Sequence, residues 1–350
     1  MNSRAVHVVV AAFALSVVAQ SNVFGQATIL RKSVKTPVDG DVTEISQKEI
    51  TVKKGSETIK IEANDIIGIQ WKGEPSKVGL ARSAEKTGRQ DAALQNYVES
   101  LPDAPASPPG LKIDLHWAIA RVTAKLAQSN SSQLDAAIAK LEEFNKNNPN
   151  HYSHFEALRL LGLAYVAKPD LVKARATFDL LAKAPWKDYQ LVADINVGKL
   201  LQLEGKTDEA VAAFDKVIAG ATPAEEAQRQ EALLGKAKVL TAQMKYPEAS
   251  MLLDEVLAKS NPDDVALQAE AYVRQGDCFE AQSKTKEALL AYLHVDVLFA
   301  QESGLHAESL YHLAKLWQKD GKKDRADESR ARLEELYPQS QWTQRLKAGS

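Results

Sequence analysis

Apolar residues follow two different periods along this chain, one over residues 27–75 and another from residue 76 onward. In the first segment, short runs alternate apolar and polar residues and are broken by Gly, Asn and Asp. The alternating apolar sets are Ile50 with Val52, Ile59 with Ile61, and Ile67 with Ile69 and Trp71. Because successive side chains of a strand point to opposite faces, this pattern predicts four or five short antiparallel strands.

The second segment repeats a helical pattern. The run Gly205–Phe214 parallels Gly88–Tyr97 and Ser283–Tyr292: an alanine follows a polar turn, and an aromatic residue comes four positions later. These alanines recur at intervals of 36 to 44 residues. They are Ala93, Ala137, Ala174, Ala210, Ala249, Ala288 and Ala326. Regular intervals of this size predict an array of helix–turn–helix units.

A small residue stands twelve positions before the turn alanine in six of the seven units. These small residues are Ala81, Gly162, Gly198, Ala237, Gly276 and Ala314. In the second unit the equivalent position is Lys125, and a Pro-rich run at 102–110 separates this unit from the first. We expect the small residues to let the two helices of a unit approach closely, and the Pro-rich run to be non-helical.

The order of large residue, small residue, aromatic, turn, alanine, aromatic and proline resembles the tetratricopeptide repeat. The resemblance covers residues 76–340. It implies a mainly α fold, a tetratricopeptide-type α-solenoid of about six to seven helix pairs preceded by a small antiparallel β-barrel-like module. The expected units are 76–101, 112–149, 153–188, 189–223, 226–262, 265–301 and 302–340. One unit cannot bury its apolar face alone, so neighbouring units must stack.

The β module at residues 27–75 resembles SH3-like or Sm-like barrels, and no diagnostic motif decides between them. A module of this size has marginal stability by itself, so we expect it to dock on the first helices. Two roles stay open for it. It is either a second recognition surface or a structural cap on the solenoid.

In tetratricopeptide-repeat proteins the first helix of each unit lines the concave surface, so the resemblance implies a groove there. Positions counted from the small residue of each unit define one face of these helices. This face is polar and carries more basic than acidic groups. The residues on or beside this face are Lys199, Gln202, Lys238, Thr241, Arg274, Asp277, Glu280, Tyr311, Lys315 and Gln318. Such a surface fits an extended or helical peptide of acidic character. The alternative is a solvated groove without a specific ligand.

Residues 1–25 have the tripartite pattern of a secretory signal peptide. Arg4 precedes an apolar run, and the small residues Ala19 and Gly25 stand before candidate cleavage points. The run is shorter than the roughly 20 residues that span a bilayer. We therefore predict export to the periplasm or another extracytoplasmic space, with an uncleaved N-terminal membrane anchor as the alternative.

Charge and motifs argue against several classes of function. The formal net charge of −2 provides no strong field for nucleic acid. One cysteine, Cys278, excludes an internal disulfide, and we expect this side chain to be buried. His151 and His154 lack a further metal ligand nearby, and Gly205–Thr207 lacks the earlier glycine of a phosphate-binding loop. We expect no catalytic, cofactor or metal site and no small-molecule substrate.

These patterns favour a protein–protein interaction scaffold or adaptor of the cell envelope. It would bind partner proteins or peptides on the concave surface of the solenoid. A structural or self-associating envelope protein is the alternative. An enzyme with a site assembled in the groove is a third interpretation, which the missing motifs disfavour.

Overall fold

The computed structural model describes residues 24–104, 108–261 and 263–349. The signal peptide expected at residues 1–25 lies outside the described residues except for its last two positions. Of these, Phe24 donates its N–H to the carbonyl of Val42 at 2.7 Å, and Gly25 begins the first strand. No helix within the described ranges combines the length and the apolar character that a membrane crossing requires.

The chain begins with an antiparallel sheet of five strands. They are β1 (Gly25–Arg31), β2 (Val38–Ile45), β3 (Glu49–Lys54), β4 (Glu57–Glu62) and β5 (Ile66–Trp71). Their order in the sheet is β4-β3-β2-β1-β5, so β5 returns to lie beside β1. In the described residues, β4 and β5 are the two edges and the sheet is not closed. The expected barrel-like closure is therefore wrong, although the strand number and antiparallel pairing are confirmed.

A bulge in β5 also breaks the expected alternation of its apolar residues. Leu30 pairs with Gly68 and Arg31 with Ile66, which leaves Ile67 without a partner on β1. The extra residue turns its side chain outward, and Ile67 is 61% exposed. The grouping of Ile67 with the buried Ile69 is thus wrong.

Helices fill the rest of the chain as seven consecutive pairs and a last helix. The pairs are α1 (Ser76–Lys86) with α2 (Gln90–Ser100), α3 (Pro109–Ser129) with α4 (Leu134–Asn147), α5 (His154–Ala167) with α6 (Leu171–Leu181), α7 (Lys187–Leu203) with α8 (Thr207–Gly220), α9 (Glu226–Ala242) with α10 (Tyr246–Lys259), α11 (Val265–Ala281) with α12 (Thr285–Leu298), and α13 (Ser303–Lys319) with α14 (Lys323–Leu336). The last helix is α15 (Gln341–Ala348). The expected α-solenoid of six to seven helix pairs is confirmed.

The end of the Pro-rich run at 102–110 is helical, contrary to expectation. Pro109 and Gly110 are the first two residues of α3. A proline is tolerated there because the first N–H groups of a helix have no partner within the helix. Residues 105–107 of the run lie outside the described ranges.

The small residues of each unit lie where the two helices of a pair meet. All seven turn alanines are fully buried, as Ala93 and Ala326 illustrate at 0% exposed. A Cβ on Gly162 would lie 2.4 Å from Cε1 of Phe178 in the second helix of the same unit. The aromatic ring of the second helix therefore lies directly against the backbone of the first.

The β module and the first helices share one apolar core. Trp71 at the end of β5 lies against α3, where a Cβ on Gly110 would come within 2.3 Å of its ring. Its indole Nε1 donates a hydrogen bond to Asp114 of α3 at 2.5 Å. Tyr152, just before α5, donates to the same carboxylate at 2.9 Å. These contacts hold the sheet, the second unit and the third unit together.

The array of helices curves strongly. First helices of successive units pack directly against each other, and Cα atoms of α13 come within 8 Å of α3. The seventh unit therefore returns toward the second, and the first helices line the inside of the curve. Cys278 on α11 is 1% exposed and lies in the core between the fifth and sixth units.

Candidate functional site

The ten residues expected on the groove lie on the first helices of the last four units. We call the surface formed by these residues on α7, α9, α11 and α13 the inner face. It is continuous because α7 packs on α9, α9 on α11 and α11 on α13. Lys238, Lys315 and Gln318 are exposed, whereas Arg274 is only 8% exposed. The other six residues are half-buried.

An ion-pair network around Arg274 joins α11 to α13. Nη1 of Arg274 donates to Asp277 at 2.6 Å, and Nη2 lies 2.9 Å from both carboxylate oxygens of Glu308. The Nε atom of Arg274 is buried and has no hydrogen-bond partner among the described residues. A buried donor without an acceptor is unfavourable, so this atom is a local cost within the network.

A second group of polar side chains lies beside this network. Nδ1 of His312 is 2.7 Å from Oε2 of Glu280, and the imidazole ring stacks on Tyr292 with centroids 4.7 Å apart. The hydrogen bond from His312 lowers the pKa of Glu280. Tyr292 donates its hydroxyl to Asp277 at 2.8 Å. This group fixes the carboxylates of α11 in place.

Three of these side chains have ligand atoms close enough for a divalent metal ion. Asp277, Glu308 and His312 offer atoms that all lie within 4.8 Å of one another. However, Arg274 already donates hydrogen bonds to both carboxylates. The same guanidinium thus pairs with both carboxylates, and the arrangement stabilises the contact between α11 and α13.

Lys238 differs from Lys199 and Arg274, which are paired with carboxylates on the inner face. Lys199 forms an ion pair with Glu231 of α9 at 2.7 Å, but no carboxylate of the described residues forms an ion pair with Lys238. Removal of water from its ammonium group by the surrounding inner face lowers the pKa of Lys238, and the positive charge of Arg274 lowers it further. The nearby carboxylates raise it by less. Lys238 is therefore a cation in an unfavourable environment that an anion would improve.

The remaining groove residues make few connections. Lys315 lies over the ring of Tyr311 at 5.1 Å, and that ring contacts Trp342 of α15. Thr241 donates its hydroxyl to the carbonyl of Ala237 in its own helix. No polar contact joins Gln202 or Gln318 to the network in the described structure.

The sequence argument missed three acidic residues of the inner face. Glu231, Glu270 and Glu308 each stand six positions before the small residue of their unit. This register position was part of the groove pattern and could have identified them. With these three carboxylates included, the expected basic excess of the face is wrong. Cations and anions alternate there, and the local environment of Lys238 matters more than the total charge.

Two parts of the array match family models described as tetratricopeptide repeat. They are residues 124–189 and residues 308–340. A tetratricopeptide repeat protein from Parabacteroides merdae aligns at 17% identity and TM-score 0.51, over 77% of this chain and 95% of that chain. A Rap protein complexed with competence and sporulation factor aligns at 16% identity and TM-score 0.54, over 76% of each chain. At these identities the likeness shows the fold. Among curated protein sequences, none matches this chain. The matched segments contain tetratricopeptide repeats, and the seven helix pairs have the arrangement of a tetratricopeptide-type α-solenoid.

Proposed function

We propose that this protein is a non-catalytic scaffold of the cell envelope that binds a partner protein through the inner face. The observation that carries the proposal is Lys238, which is exposed on the inner face and forms no ion pair within the described residues. A carboxylate of a partner would give Lys238 the ion-pair partner that it lacks. The Rap protein of similar fold was solved as a complex, which fits a binding role for such an array.

The bound segment is expected to present an acidic side chain to α9 and α11. The inner face is polar along its length, so the segment would make several hydrogen bonds in addition to this ion pair. Because Lys199 and Arg274 are already paired with carboxylates, the acidic side chain would be attracted to Lys238. Specificity would come from like-charge repulsion by Glu231, Glu270 and Glu308 against misplaced acidic groups.

Partner capture by matched variants tests this proposal. The exported form of the protein, immobilised, is exposed to an envelope extract in three versions: unchanged, Lys238→Gln and Lys286→Gln. Lys286 is an exposed lysine on α12, in the second helix of its unit and away from the inner face. We expect the unchanged chain and Lys286→Gln to capture a stoichiometric amount of a partner protein. Lys238→Gln should capture about tenfold less of it. Equal capture by all three would contradict the role of the inner face. Retention of only further copies of this chain would support the self-associating alternative.

Export is the second part of the proposal, and it has a separate test. Cleavage after Ala19 would leave Phe24 and Gly25 in place beside β2, whereas cleavage after Gly25 would remove both. We therefore expect the mature chain to begin at Gln20, found in the extracytoplasmic fraction by N-terminal sequencing. A cytoplasmic chain that still begins with Met1 would contradict export. A membrane-bound chain with an intact N-terminus would support the uncleaved anchor.

A further inference from the structure

A cavity of about 540 Å³ lies between the free edge of β5 and the first helices of units one to four. Ligand pockets of proteins span about 300–1,000 Å³, so this cavity has the size of a binding site. Strand β5 forms one wall along Ile66–Gln70. Helices α1, α3 and α5 and the start of α7 form the other walls. Lys238 does not line this cavity.

The strand edge in this cavity has an unused backbone. Strand β5 is last in the sheet order, so one side of its backbone faces no other strand of the described residues. The apolar side chain of Ile67 is 61% exposed, and a Cβ on the next residue, Gly68, would meet no atom within 4 Å. At one end of this stretch, Arg82 donates to the carbonyl of Ile69 at 2.9 Å. The open part of the edge is thus short and centred on Ile67.

The opposite edge of the same sheet is protected in a way that β5 is not. Strand β4 carries the exposed charged residues Glu57, Lys60 and Glu62. Charged side chains on an edge strand oppose pairing with another strand. Strand β5 instead presents Ile67 and Gly68 at its open part, and neither opposes pairing.

The charges around the cavity favour a partner of negative charge. Five basic residues line it against three acidic ones; the basic residues are Lys32, Arg82, Lys86, Arg121 and Lys125. The acidic residues are Glu85, Asp114 and Glu156, and each has a partner in the protein. Lys32 and Lys86 are exposed and form no ion pair within the described residues. These two ammonium groups are therefore available to an added carboxylate.

We propose that the open edge of β5 docks an extended, acidic segment of a partner protein. The segment would add to the sheet beside Ile67 through main-chain hydrogen bonds, and its carboxylates would pair with Lys32 and Lys86. Apolar side chains on its other face would enter the cavity against Tyr97 and Leu115. This mode of recognition takes affinity from the backbone and specificity from the side-chain pockets. The site gives the β module a recognition role that does not depend on the inner face.

Synthetic octapeptides test the proposal on the full mature chain. One labelled pool alternates apolar and acidic residues, and a second pool alternates apolar and basic residues. We expect the acidic pool to bind and the basic pool to bind at least about tenfold more weakly, measured by fluorescence anisotropy at low ionic strength. The tightest acidic peptide is then resynthesised with N-methyl groups on alternate amides, in the two complementary patterns. We expect one pattern to weaken binding at least about fivefold and the other to leave it unchanged, because only one set of amides faces β5.

Charge-reversal variants locate the binding site. The double variant Lys32→Glu/Lys86→Glu should weaken binding of the acidic peptide about tenfold, while Lys54→Glu, at the hairpin near β4, should not change it. Loss of peptide binding in Lys238→Gln would place the peptide on the inner face instead and would overturn the proposal. Binding by neither pool, or equal binding of both N-methylated forms, would overturn the proposal. Concentration-dependent dimers that the variant Ile67→Lys abolishes would show a second copy on this edge instead, and would overturn it as well.

Discussion

Replacing Gly162 by leucine is expected to lower the free energy of unfolding by about 3 kcal/mol. Even the first added atom, Cβ, would lie 2.4 Å from Cε1 and 2.7 Å from Cζ of the Phe178 ring. That ring is 0% exposed and cannot rotate into solvent. The helices α5 and α6 would have to separate, and the loss would spread to the units that stack on them. Denaturant unfolding followed by circular dichroism measures the change.

The sequence offers a matched control for this substitution. Gly79 also lies inside a helix, α1, but a Cβ there meets no atom within 4 Å. Gly79→Leu should be neutral or slightly stabilising, because leucine has the higher helix propensity. Gly198→Leu should destabilise by less than Gly162→Leu, since its Cβ would lie 2.9 Å from Phe214.

A second substitution separates local overpacking from a general loss of structure. Phe178→Ala alone should cost about 3–5 kcal/mol, because it leaves a cavity in the core. In the double variant Gly162→Leu/Phe178→Ala, the leucine can occupy part of that cavity. The double variant should therefore be more stable than the sum of the single effects predicts. Strict additivity, or a fully stable Gly162→Leu, would contradict direct packing between these two positions.

The pairing of helices could be predicted from sequence because it depends on residues close in the chain. Gly162 and Phe178 belong to one unit, and the same separation relates Gly276 to Tyr292. Wherever this geometry recurs, a small residue must again face a large ring. The sequence separation between the two residues therefore repeats and can be recognised along the chain. The same holds for the turn alanines, which are completely buried in every unit.

Features that join distant parts of the chain left no such spacing. The exposure of Ile67 on the sheet edge depends on a bulge, a single extra residue that the alternation of apolar positions does not reveal. The cavity beside β5 needs α1, α3 and α5 to meet the sheet, and that meeting involves a shared apolar core and the hydrogen bonds of Asp114. Likewise, the approach of α13 to α3 is a sum of small rotations between units.

The charged site near the start of the array illustrates the same limit. Glu85 of α1 accepts hydrogen bonds from Arg121 at 3.0 and 2.8 Å and from Lys125 at 2.9 Å, both on α3. Lys125 is the residue that breaks the repeat pattern in the second unit. Its departure from the pattern is explained by this ion pair between units, which no local rule describes.

Stability at acidic pH should depend strongly on Glu85. Burial raises the pKa of Glu85, but the hydrogen bonds and charges of Arg121 and Lys125 more than offset burial and lower it to about 2. An unfolded glutamate titrates near 4.5. Glu85 therefore holds its proton less tightly in the folded chain than in the unfolded chain. The stabilisation that its carboxylate provides is complete above about pH 4.5 and is lost as the pH falls toward 2. The difference in pKa corresponds to about 3 kcal/mol.

The variant Glu85→Gln isolates this contribution from the other groups that titrate in acid. At pH 7 its free energy of unfolding should be about 3 kcal/mol lower than that of the unchanged chain, because Arg121 loses a charged partner at a largely buried site. The two chains should converge as the pH is lowered from 5 to 2, since the protonated carboxyl and the amide are both neutral. Glu335 on α14, an exposed glutamate that forms no ion pair within the described residues, provides the control, and Glu335→Gln should match the unchanged chain throughout. Urea unfolding at a series of pH values measures the difference. A difference between Glu85→Gln and the unchanged chain that stays constant down to pH 2 would mean that the ion pair with Arg121 does not stabilise the contact between α1 and α3.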